Sequence, residues 1–174
     1  MLRVKNNLVL CIDPAFRNVG VALWCTDRQQ FIHSALWQTQ NDKSKTREAD
    51  NRTRLEFLTG QVRTITGRYN PRFVVAELTP CTARSARAAV SLAFAYSWLV
   101  TYCSTTGLVL KSVTPRDIKR WAATTARVSK QQVQWAVLKQ FAVPEHLWLS
   151  SRLINEHVAD AMACVGVLKE RGEL

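Results

Sequence analysis

Residues 8–24 read LVLCIDPAFRNVGVALW: an apolar run ending in the carboxylate of Asp13, a turn-forming Pro14-Ala15-Phe16-Arg17-Asn18, and a second apolar run over residues 19–24. That pattern predicts a β-hairpin with Asp13 at the end of its first strand. Working outward, residues 30–37 alternate well enough for a third strand. Residues 39–53 (TQNDKSKTREADNRT) are polar and without periodicity, predicting an exposed loop that leads into a helix near Arg54. Leu55, Leu58, Val62 and Ile65 share one helical face, and Tyr69-Asn70-Pro71 ends that helix before a strand over residues 73–78. Residues 82–105 form a helix with an apolar circumference, and residues 108–113 a fifth strand. Thr114-Pro115 and Ser129 each supply a helix start, the first ahead of residues 116–123 and the second ahead of a face formed by Val133, Ala136, Val137 and Phe141. A basic linker separates the two, Pro144 breaks the chain, and a last helix covers residues 155–169. Three strands, a helix, then strands alternating with helices make an α/β layer architecture with a five-stranded mixed sheet flanked by helices. With 174 residues, 47% hydrophobic and no composition break, the chain is expected to be a single domain over residues 1–174.

Composition narrows the function. Lys and Arg number 24 against 13 Asp and Glu, giving a net charge of +11 and a sequence pI near 10.0. Phosphate backbones are natural partners for such a chain. A membrane is not, since no run approaches the ~20 apolar residues a span needs and neither a basic amphipathic anchor nor a lipidation motif is present. Residues 1–5 lead into the first strand without a signal-peptide pattern, so a soluble, cytoplasmic protein is expected. The five cysteines are odd in number, scattered and without a CxxC pair. They read as small apolar residues in a reducing compartment rather than as disulfides or a zinc knuckle. Lys43, Lys45 and Arg47 in the polar loop could touch DNA or simply be solvated.

Four residues stand out. In Asn155-Glu156-His157-Val158-Ala159-Asp160-Ala161-Met162-Ala163, His157 and Asp160 lie three apart and share a helix face, while Val158, Ala161, Met162 and Val165 supply its buried side. A bare HxxD arises easily by chance, and an Asp beside a turn is more often structural than catalytic. Glu77 differs, because an acid amid Phe73, Val74, Val75, Ala76 and Leu78 interrupts a buried strand and requires a compensating partner, either a cation or a Lys or Arg salt bridge. Acidic and histidine ligands in a strongly basic protein suggest metal-dependent cleavage of nucleic acid phosphodiesters.

The order LCIDP, NVG, VVAE, TPRDIK, SKQQV and HVADAMA resembles the RuvC-type Holliday junction resolvases of the RNase H-like superfamily over essentially the whole chain. The resemblance implies an RNase H-like fold. It also implies a Mg²⁺-dependent endonuclease that resolves four-way DNA junctions by paired nicks from a homodimer. Asp13, Glu77, His157 and Asp160 would hold two divalent cations, usually Mg²⁺ with Mn²⁺ able to substitute. Lys119 and Lys130 fall where that family carries functional basic residues near the scissile phosphate. His157 must be neutral to ligate, so activity is expected to fall on acidification near its usual pKa of about 6.5. The chain departs from the pattern at three places. His157 stands where many bacterial members have Asp. Leu78-Thr79-Pro80-Cys81-Thr82 lacks the aromatic that wedges into the junction centre. The Asp13 turn has Ala15 and Phe16 in place of small residues. Such drift suggests a diverged, phage or viral, member. The apolar helix over residues 82–105 either lies deep in the core or meets a second subunit, and a dimer helix is the preferred reading. A nuclease acting on flaps, forks or other branched DNA, and a non-catalytic branched-nucleic-acid binding module, remain alternatives. A transposase is disfavoured because no DNA-binding appendage accompanies the core. No branch-migration partner can be read from these residues.

Overall fold

The structure is a computed structural model that describes residues 7–78, 86–123, 128–147 and 154–174. Strand β1 (Leu8–Asp13) pairs antiparallel with β2 (Asn18–Cys25), which pairs antiparallel with β3 (Gln30–Gln38). On its other edge β1 runs parallel to β4 (Phe73–Glu77), and β4 runs parallel to β5 (Leu110–Val113). The sheet order is therefore β3-β2-β1-β4-β5, a mixed five-stranded sheet. β5 is two residues shorter than its apolar run, because Leu108 and Val109 precede the ladder and Val109 is exposed.

Period-two alternation splits the core into two layers. Leu10, Ile12, Val21, Leu23, Val74 and Ala76 face α1 (Arg47–Tyr69) and α2 (Ala86–Thr106), packing on Leu58, Val62, Ile65, Ala95, Trp98 and Leu99. Val9, Cys11, Ala22, Trp24, Phe73 and Val75 face the opposite side. There they meet α3 (Pro115–Ala122), α4 (Lys130–Gln140) and α5 (Glu156–Glu170). α5 carries an unbroken buried run, Ala161 to Leu168, across β1, β2 and β4. Such a helix is apolar on nearly every side because it is wedged between the sheet and the α3 and α4 layer. Among the described residues, no helix is long and apolar enough to cross a membrane.

α1 begins at Arg47, earlier than the apolar spacing predicts, so part of the expected loop is helical. The cause is polar. The Thr46 side chain accepts from Ala49 N at 3.3 Å, and Glu48 and Asp50 occupy the first turn, where the helix dipole favours acids. Asp50 is buried and paired with Arg54 at 3.6 Å, so the first turns are fixed by ion pairing rather than by an apolar stripe. At its far end Asn70 takes a left-handed conformation with φ 45° and closes onto Thr66 O, the stop that Tyr69-Asn70-Pro71 announces. Capping boxes start the two short helices. Thr114 and Asp117 reciprocate at α3, and Ser129 and Gln132 at α4. Residues 79–82 of the sequence that departs from the family wedge, the first residues predicted for α2, and most of the basic linker lie outside the described residues.

Candidate active site

The pleat that sorts the core also aims the acids. Odd-numbered positions of β1 and β4 face α5, and the parallel register sets Ile12 opposite Ala76, so Asp13 and Glu77 follow as neighbours at the carboxyl ends of the two central strands. Ligand sites in α/β sheets form at such ends. Asp160 enters from α5, four residues beyond the Glu156 that opens that helix. One carboxylate oxygen from each of Asp13, Glu77 and Asp160 lies within 4.8 Å of the others. These three are the group that the structure brings together.

His157 stands at their edge. Its Nδ1 lies 2.8 Å from Asp13 Oδ2, and its backbone N–H donates to the Asn155 side chain at 3.0 Å, the N-cap bond of α5. Lys130, the first residue of α4, places Nζ 2.8 Å from Glu156 Oε2. Lys119, on the last turn of α3, is exposed, and its charge is felt at Glu77. The charges of the site are strongly coupled. Burial, then repulsion from Asp13 and Asp160, pushes Glu77 up to about 8, against the pull of Lys119 and Lys130. Burial, then Asp13, pushes Asp160 up to about 7. The hydrogen bond to Asp13 raises His157. Glu77 is half-buried and forms no ion pair among the described residues, so of the two partners that its place in the strand calls for, the salt bridge is not made among them. Three hard carboxylates sharing one half-buried space, with Glu77 and Asp160 ionising there at a cost, together with an imidazole beside them, suit a divalent ion such as Mg²⁺ or Mn²⁺.

Behind the acids, burial raises the Cys11 and Cys164 thiols far above their usual value, and Cys164 Sγ donates to Asp160 O at 3.5 Å. Cys25 and Cys103 are also free and buried, so the described cysteines pack as small apolar residues. Cys81 lies outside the described residues.

Two contributors were not legible as such. Glu156 reads as an ordinary first-turn acid, and nothing in its spacing announces that it holds Lys130. Gly20 marks the family-like pattern, but its reason is steric. It sits opposite Asp13 in the β1–β2 ladder, and a Cβ there would collide with the His157 carbonyl and lie 2.7 Å from Val158 N. The first turn of α5 can therefore rest directly on β2 only because position 20 has no side chain. Gly20→Ala is expected to lower stability by about 1–3 kcal/mol, the usual cost of overpacking. It should also weaken cation-dependent cleavage by about ten-fold, because His157 and Asp160 must retreat with the helix. Urea midpoints and nicking rates measured side by side check this, and an unchanged pair of values would contradict it.

A family model described as crossover junction endodeoxyribonuclease RuvC matches residues 9–167. Among solved structures, the chain is similar to Thermus thermophilus RuvC in complex with a Holliday junction substrate, with TM-score 0.74 and 17% identity over 95% of this chain and 94% of that one. It is similar to Thermus thermophilus RuvC alone, with TM-score 0.72 and 18% identity over 95% and 97%. The yeast mitochondrial Holliday junction resolvase Ydc2 also shares the fold, with TM-score 0.64 and 13% identity over 95% and 79%. At these identities the structural likenesses establish the fold, and the family model, which spans nearly all of the sheet and helix framework, establishes the kinship: the chain belongs to the crossover junction endodeoxyribonuclease RuvC family.

Proposed function

We propose that Asp13, Glu77 and Asp160, joined by His157, hold the divalent cations of this junction-resolving endonuclease, with Lys119 and Lys130 serving the phosphate that is cut. The observation that carries the reading is the convergence of three carboxylate oxygens within 4.8 Å in a chain of net charge +11. Two Mg²⁺ ions, with Mn²⁺ as a substitute, are the preferred occupants; when bound, they supply Lewis acidity toward the phosphate and generate a nucleophile from water at neutral pH. Asp13, Glu77 and Asp160 supply the negative charge that holds them. His157 is held at the edge of these acids by the contact of its Nδ1 with Asp13, which fixes the ring's orientation beside them. Lys119 and Lys130 flank the acids and offset the charge that accumulates on the phosphate during displacement.

A basic surface grips DNA backbones, while two-fold symmetry selects a four-way junction. A homodimer is proposed to place two such sites against opposed strands, making paired nicks. Support comes from α2, which packs on the sheet through Ala95, Trp98 and Leu99 yet leaves Val90, Phe94 and Val100 exposed. Val90 and Phe94 line a groove of about 980 Å³ against Leu55, Thr59 and Arg63 of α1. An apolar groove of this size, rimmed by charge, suits burial against a second copy. Light scattering at micromolar concentration is expected to give twice the 19.7 kDa chain mass. Val90→Asp should shift it to the monomer without unfolding, and a monomeric wild-type mass would remove the proposal.

Residues 1–174 are proposed to act as a single nuclease domain, working in a reducing cytoplasm that suits its buried free thiols. A side-by-side panel of four-way junction, flap, fork and linear duplex, with nick positions mapped, tests the substrate. Preferential, symmetric nicking of the junction is expected, whereas faster cleavage of flaps or forks would move the assignment to other branched DNA.

A further inference from the structure

Lys130 has a partner that the cleavage reaction does not by itself require. Its Nζ lies 2.8 Å from Glu156 Oε2, while Oε1 of the same carboxylate lies 3.8 Å from His157 Nε2. His157 Nδ1 in turn meets Asp13 Oδ2 at 2.8 Å. One line of polar contacts therefore runs from the start of α4 through the first turn of α5 to the end of β1. The frame beneath it is stiff: the Ser129 and Gln132 capping box sets the first turn of α4, and Gln134 Nε2 donates to Ile154 O at 2.6 Å, tying α4 to the residues that lead into α5.

Stability is a poor reason for this ion pair. The Lys130 and Glu156 side chains are 64% and 40% exposed, and pairs so open to water contribute little to folding. Nor does α5 need Glu156 as a cap, since Asn155 already accepts the His157 N–H. Position is a better reason. A lysine is a point charge on a flexible stem, and an ammonium free to sample solvent gives little to a phosphate at a fixed place. The Lys130 charge already reaches Glu77 and Asp160, so the carboxylate holds it beside the acids. Glu156 itself does not join the three converging carboxylates.

We infer that Glu156 is a positioning residue: it holds the Lys130 ammonium at the edge of the Asp13, Glu77 and Asp160 cluster, where the scissile phosphate of branched DNA arrives. The inference rests on the reading of Lys130 as a phosphate contact proposed above. A double-mutant cycle tests it on the full-length protein with a synthetic four-way junction at saturating Mg²⁺. Lys130→Ala is expected to lower kcat by about 10²-fold. Glu156→Gln should lower kcat by about five-fold with KM unchanged within about two-fold, the scale of a partly exposed pair. In the Lys130→Ala background, Glu156→Gln should change kcat by less than about two-fold, because the group through which it acts is gone. The Mg²⁺ concentration for half-maximal rate should be the same in wild type and Glu156→Gln.

An equal loss in both backgrounds would overturn the inference while leaving the Lys130 assignment standing, as would a faster Glu156→Gln enzyme, which would make the pair a brake. A raised Mg²⁺ requirement in Glu156→Gln would also overturn it, by showing that Glu156 acts through His157 instead. Full activity of Lys130→Ala alone would remove the underlying reading and the inference with it.

Discussion

Asp13→Asn and Asp160→Asn are each expected to lower cation-dependent nicking of a synthetic four-way junction by on the order of 10³-fold, at least the loss typical of a single preorganised electrostatic group. Junction binding measured in EDTA or Ca²⁺ should stay equal to wild type or become tighter. The two halves of this result have different origins. An amide is nearly isosteric with a carboxylate, and in Asp13→Asn its oxygen can still accept the His157 bond now made at 2.8 Å, so the fold has no reason to move. What is lost is one negative charge from a group whose members lie within 4.8 Å of one another, and with it the hold on divalent cations. DNA carries phosphates toward that same group, so removing an acid removes a repulsion rather than a contact. Gel-shift affinities paired with nicking rates separate the two effects. Undiminished cleavage by either variant would dismiss the site, and loss of binding together with cleavage would reduce the finding to a folding defect.

Legibility in the sequence followed the physics of each element. Strand alternation is a local signal, and it sufficed to put Asp13 at the end of β1, Glu77 on β4, where it proves to be the last residue, and, with the i, i+3 rule, His157 and Asp160 on one face of α5. The hydroxyl caps at Thr114 and Ser129 were equally local. The start of α1 was hidden because its first turns are fixed by Thr46, Asp50 and Arg54, polar residues that look the same in a solvated loop. Arg54 was hidden for the same reason: it stacks over the Phe16 ring at 3.9 Å and donates to Phe16 O, clamping the turn after Asp13 to α1 across a long sequence separation. Long-range pairs of this kind leave no periodicity. The same holds for His157 on Asp13 and Lys130 on Glu156, which depend on how α4 and α5 dock. Docking also bears on the expected acid limit. The Asp13 bond raises His157 in the cation-free protein, so a divalent cation that takes the imidazole must compete there with a more tightly held proton.

Glu77→Gln is expected to abolish cleavage yet make the cation-free protein more stable at pH 8, and the sign follows from the direction of its shift. Burial and two flanking carboxylates push Glu77 up to about 8 in the folded chain, whereas an unfolded chain ionises it near its ordinary value of 4.5. Between those values the unfolded state releases a proton that the folded state retains, so the native protein loses stability as the pH rises from about 4.5 to 8 and carries the full penalty above. A glutamine has no such penalty. The gain should be on the order of 2 kcal/mol at pH 8, raising the thermal midpoint in EDTA by roughly 4–8 °C for a domain of this size. It should shrink toward zero near pH 4, where the wild-type acid is protonated in both states. Added Mn²⁺ or Mg²⁺ should reverse the ranking, stabilising wild type by linkage and leaving the glutamine variant nearly unmoved. Calorimetric scans at the two pH values, with and without the cation, read all of this in one series. A variant no more stable than wild type at pH 8, with the same response to the cation, would show that Glu77 is neither penalised in EDTA nor relieved by a metal, and its place among the ligands would fall.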